Sequence, residues 1–70
     1  MVLTFNEAEV VDAVRRRAVA GVPVPARLVR MAVWDSHRIP YDAAHRALTG
    51  LVKKGLLTKP SRGYYLPADV

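Results

Sequence analysis

The segment from Pro40 to Leu66 constrains this chain most, because its apolar period changes from helical to extended at a single glycine. Ala44, Ala47, Leu48, Leu51 and Val52 recur at the three- and four-residue spacing of one buried helix face. Asp42 falls in the first turn and Lys53 and Lys54 in the last, signs that suit the helix dipole, and Gly55 follows as the stop. Beyond it Leu56-Leu57-Thr58 reads as a strand, Lys59-Pro60-Ser61-Arg62-Gly63 as a turn and Tyr64-Tyr65-Leu66 as the returning strand. A helix over about 41–54 therefore runs into a hairpin over about 56–66 with a basic tip.

Two shorter helices precede it. The first starts at Asn6 as cap, or at Thr4 with Glu7 completing a capping box; Val10, Val11, Val14 and Ala18 form its stripe, Asp12 and Arg16 pair on the far side, and Gly21 ends it. Val22 to Val24 suit a brief edge strand, and Pro25 suits the first turn of the second helix. In that helix Leu28, Val29, Ala32 and Val33 face inward and Arg27 and Arg30 outward, while Asp35 to Pro40 carry too many turn formers to continue it. Gly50 falls on the outer face of the third helix, at a cost of about 1 kcal/mol relative to alanine.

The whole is mainly α with a small β-hairpin, an α+β arrangement of three helices and a C-terminal β-wing. Seventy residues accommodate one domain, 1–70, and the absence of cysteine leaves its stability to the packing of one small core. A composition 51% hydrophobic and 24% charged is that of a folding chain. The opening residues show no basic region leading into a long apolar run, so neither a signal peptide nor a membrane span is indicated, and a cytoplasmic protein is the expectation.

Charge is unevenly spread. The net charge is +5, but Glu7, Glu9 and Asp12 all precede the first base; from Arg15 onward eleven bases stand against Asp35, Asp42 and Asp69. Such a surplus attracts phosphate polyanions, and anionic lipid or acidic proteins as well.

The run Tyr41-Asp42-Ala43-Ala44-His45-Arg46-Ala47-Leu48-Thr49-Gly50-Leu51-Val52-Lys53-Lys54-Gly55-Leu56-Leu57 resembles the recognition helix and first wing strand of winged helix-turn-helix proteins, through its Arg46-x-Leu48-x-x-Leu51-x-x-x-Gly55-Leu56-Leu57 spacing. The order of elements extends the likeness over nearly the whole chain. Its small size is similar to that of stand-alone regulators of archaea, their viruses and plasmids. The resemblance implies binding of double-stranded DNA, with the third helix in the major groove and the wing on the backbone or in the neighbouring minor groove. Arg46 is then the best base reader, because a guanidinium binds guanine bidentately; His45 and Thr49 stand beside it, Asp42 shares its face, and Lys53 meets phosphate. Lys59, Ser61 and Arg62 take phosphate-positioning or narrow-groove roles on the wing, with Arg27 and Arg30 touching phosphate from the second helix. Gly50 either permits close approach to DNA or a partner or is simply tolerated.

Each sharp reading has a plain rival. A basic helix face is often only solvated, and Arg15-Arg16-Arg17 lie on a helix expected to face solvent or a partner. Tyr41 shares the face of Leu48, one of Tyr64 and Tyr65 should point inward, and Trp34 belongs either beside Arg27 and Arg30, against DNA or a second subunit, or in the core. His37 and His45, separated by Pro40, are too few for a metal site. No nucleophile, paired acids or glycine-rich phosphate loop supports an enzyme or a cofactor. A transcriptional regulator acting as a homodimer or a monomer is the leading expectation; the alternative is a winged-helix interaction module within a larger assembly, with no specific DNA binding.

Overall fold

In the computed structural model, which describes residues 2–70, the chain forms α1 (Phe5–Arg17), a short turn of 3-10 helix (Val19–Gly21), β1 (Val24–Pro25), α2 (Ala26–His37), α3 (Tyr41–Lys53), β2 (Leu57–Ser61) and β3 (Tyr64–Pro67). The layout is winged-helix-like, three helices beside a small antiparallel sheet of order β1-β3-β2. The expected edge strand thus exists, displaced to Val24–Pro25, and turns the hairpin into a three-stranded sheet through the pairs Val24↔Tyr65 and Pro25↔Tyr64.

Thr4 caps α1: its hydroxyl accepts from the Glu7 amide, and the Glu7 carboxylate accepts from the Thr4 amide in return. The cap is therefore Thr4 and not Asn6. α1 ends at Arg17, ahead of Gly21, because the chain turns through Ala18 and the left-handed Ala20 into the 3-10 segment. Pro25 is the residue before α2 and closes β1, its fixed φ of −63° suiting both roles.

α2 is longer than its sequence suggests. Asp35, Ser36 and His37 complete its last turn, and Arg38, left-handed at φ 54°, caps it by donating its amide to the Trp34 carbonyl. Ile39 donates to the Val33 carbonyl and buries its side chain, so turn formation is postponed to Arg38–Pro40, a three-residue link into α3. Leu28, expected inside, stands partly exposed, and Val29 and Val33 carry the buried face.

The core joins Val10, Ala13 and Val14 of α1 to Val29 and Val33 of α2, Ile39, Ala44, Ala47, Leu48 and Leu51 of α3, and Val24, Leu57 and Tyr65 of the sheet. Val52 is only partly buried at its margin. Fully burying a leucine or valine is worth about 1.5–3 kcal/mol, and seven such side chains meet here, so α3 is fixed by the face opposite Asp42, His45 and Thr49.

In the hairpin β2 runs to Ser61, beyond its expected end, and the turn shrinks to Arg62-Gly63, with Gly63 in the positive-φ conformation that a glycine adopts without strain. The register slips by one residue between Thr58↔Leu66 and Ser61↔Tyr64, a bulge at Lys59-Pro60 on the outer edge strand, where a proline without an N–H is tolerated. Tyr65 points into the core and Tyr64 outward. From Thr58 to Arg62 every side chain of the wing is exposed.

Candidate nucleic-acid interface

The outward face of α3 carries Asp42, His45, Arg46, Thr49 and Lys53, all exposed. Arg46 pairs with Asp42 one turn earlier at 3.7 Å, with both side chains 74% exposed. An ion pair so open to water is worth a few tenths of a kcal/mol and yields readily to a stronger acceptor. Arg46 leans toward α1, lining a depression with Thr4, Asn6, Glu7, Ala43 and Ala47. Thr49 and Lys53 lie on the other flank, where with Val52, Lys59 and Tyr65 they line a cleft between α3 and the wing. Lys59 reaches that cleft with its ammonium 5.9 Å from the centre of the Tyr65 ring.

The wing tip meets the start of α2. The Ala26 amide donates to the Gly63 carbonyl at 2.8 Å, which brings the backbone of Arg27 near that of Arg62, the residues next to that bond. Arg30 differs from its expected outward placement. It is partly buried, with its guanidinium 5.5 Å above the Tyr41 ring and its Nε shut off from water without a hydrogen-bond partner. Tyr41 correspondingly stands 53% exposed at the head of α3 instead of at the edge of the core.

Gly50 faces α1 and not the outside. A Cβ there would stand 2.6 Å from Glu7 Oε2, the tip of a side chain, so a larger residue would have to push that carboxylate out of its place. Glu7 is buried at this crossing and pairs with the Lys54 ammonium, which comes from the end of α3. The Lys54 hydrogen bond and the Thr4 amide hold its carboxyl below the ordinary glutamate range, against the opposing effect of burial. Lys54 also donates to the Val2 carbonyl. Sequence reading missed this junction, although a capping-box glutamate one helix away from a glycine in a well-formed helix was the available signal.

The pairing of charges divides the molecule. Arg15 meets Asp69 at 3.3 Å, Arg16 meets Asp12 at 2.9 Å, and His37 lies 3.4 Å from Glu9. Arg17 donates to the Ala13 carbonyl. With Glu7–Lys54 and Asp42–Arg46, five of the six acids have a partner, and most of those partners are on α1 or reach it. Among the described residues Arg17, Arg27, Arg30, Arg38, Lys53, Lys59 and Arg62 have no ion pair, and all but Arg17, which is tied to a carbonyl of its own helix, lie on α2, its following turn, α3 or the wing. No helix among these residues is long and apolar enough to cross a membrane. Comparison of the chain with protein-family models, curated proteins and solved structures finds no match.

Proposed function

We propose that the chain binds double-stranded DNA as a winged helix-turn-helix regulator, with α3 in the major groove and the wing along the backbone. The observation that carries this reading is the segregation of charge: four of the six acids are paired at α1 or the chain end, and all the unpaired bases but Arg17 lie on α2, its following turn, α3 and the wing. A polyanion with closely spaced phosphates gains most from such a surface, through release of its condensed counterions.

Within this reading the roles divide by position. Arg46, His45 and Thr49 face the base edges, and Asp42 orients Arg46 until a guanine replaces it. Lys53 and Lys59, sharing one cleft, and Arg27 and Arg62, with neighbouring backbones, contact phosphate and fix the register of the helix in the groove. A homodimer on a palindromic site is the arrangement that would give such a small reader sufficient sequence length.

Fluorescence anisotropy with a labelled duplex at several salt concentrations tests the reading. The expected result is binding whose logarithm falls linearly with the logarithm of salt, with a slope near −4 if about four or five phosphates are neutralised. Absence of binding at low salt would sink it and favour the interaction-module alternative. Selection from a random duplex pool then supplies the preferred site.

A further inference from the structure

The head of α3 and the tail of α2 expose two aromatic rings, Tyr41 and Trp34, to which duplex binding by α3 and the wing assigns no role. Trp34, in the last turn of α2, is 41% exposed, and with Pro40 and Tyr41 it lines a shallow depression. Both rings are paired with guanidinium groups: Arg38 lies 5.3 Å from the centre of the Trp34 ring and Arg30 5.5 Å from that of Tyr41. Neither arginine has an ion pair, and the Arg30 Nε is sealed without a partner. The nearest acids in sequence are Asp35, exposed on α2, and Asp42, already held by Arg46.

We propose that this aromatic and arginine cluster is a stacking platform for unpaired nucleobases, so that the protein prefers a duplex carrying a single-stranded extension. The inference rests on the DNA-binding reading above. Charge complementarity chooses the occupant. A second copy would bring Arg30 and Arg38 against a surface of the same charge, whereas an unpaired nucleotide offers a flat base for the rings and guanidinium planes and a phosphate for the arginines. Position agrees. Pro40 and Tyr41 begin the helix assigned to the groove, and the cleft with the wing lies toward its other end, so a strand leaving the duplex past the head of α3 passes over the platform. Arg38 is the one base on a left-handed residue, a strained setting for a non-glycine residue that fixes the direction in which its side chain leaves the turn.

Trp34 is the sole tryptophan and reports directly on its own occupancy. The experiment compares a blunt duplex, the same duplex with a six-nucleotide extension on either strand, and the extension alone, by anisotropy and by Trp34 emission. The expected result is about tenfold tighter binding of one extended duplex, with emission quenched by it and by the free strand but not by the blunt duplex. Trp34→Ala should erase the advantage of the extension and leave blunt-duplex affinity unchanged, with circular dichroism confirming the fold. Arg38→Gly, which keeps the left-handed turn, should reduce the same advantage. Equal binding of blunt and extended duplexes, or an advantage that survives Trp34→Ala, overturns the platform while leaving duplex binding intact. Quenching by the free strand without duplex binding supports the platform and overturns the groove-binding reading. Equal quenching by polyglutamate shows that the surface reads charge and not bases, and a dimer in sedimentation that Trp34→Ala dissociates assigns it to a second copy; either result overturns the proposal.

Discussion

The two ends of α3 use charge in opposite ways. At its C-terminal end Lys54 reaches back to Glu7 on α1, whose carboxylate also accepts from the Thr4 amide. At its N-terminal end Arg30 and Arg38 rest on aromatic rings with no acid to meet them. The first arrangement locks two helices at close range. The second leaves cations preorganised and unsatisfied, which is costly for a folded protein alone and useful for one with an anionic partner. Basic residues in a small domain therefore separate by what they touch: Lys54, Arg15 and Arg16 serve the fold, and Arg27, Arg62 and Lys59 are free for a ligand.

The largest expected effect lies at the locked end. Gly50→Leu pushes the Glu7 carboxylate out of its bonds to the Lys54 ammonium and the Thr4 amide, so about 3 kcal/mol of stability should be lost in urea denaturation despite leucine's better helix propensity. A stable variant would mean that the Glu7 carboxylate swings aside and keeps or replaces its partners. The same junction carries a pH signature. Because Lys54 and the Thr4 amide depress the Glu7 pKa in the folded state, its contribution is present above the unfolded glutamate pKa and is lost as pH falls through the lower folded value. Glu7→Gln should flatten that acid limb of the urea midpoint against pH; an unchanged limb would place the dependence on other carboxylates.

How much of this was legible in sequence follows from the range of the forces involved. α3 and the hairpin were readable because Ala44, Leu48, Leu51 and Gly55 write their period locally. The end of α2 was misread because Ile39, by burying itself and bonding back to Val33, pulls three turn-forming residues into the helix, a tertiary effect that overrides their propensities. Gly50 was misread and the partner of Lys54 missed for a similar reason: both meet Glu7, which lies more than forty residues away. The candidate site was legible as a set of residue types, whereas the approach of Arg27 to Arg62 depends on one backbone hydrogen bond from Ala26 to Gly63.

At the open surface the expected effects are smaller and fall on binding. Arg46→Ala should relax preference at one base pair by about 2 kcal/mol, read by competition between the selected site and single-pair variants, with little change in urea stability. Uniform weakening across all sites would make Arg46 a phosphate contact instead. Arg62→Ala should weaken every duplex alike and reduce the salt slope by about one, the mark of a single lost phosphate. A change in sequence preference would move the reading function to the wing.

The smallest effect is the most discriminating, because Arg16 has the same chemistry as Arg62 but lies on the paired side. Its bond to Asp12 spans one helical turn between largely exposed side chains, a geometry worth about 0.3–0.5 kcal/mol. Arg16→Ala should therefore change stability by no more than about 0.5 kcal/mol and, when Asp12 is removed with it to keep the net charge constant, leave duplex affinity and salt slope where they were. If Arg16→Ala alone weakens duplex binding as much as Arg62→Ala does while the charge-neutral double variant does not, total charge governs the interaction. The division between paired and unpaired bases would then have no functional meaning.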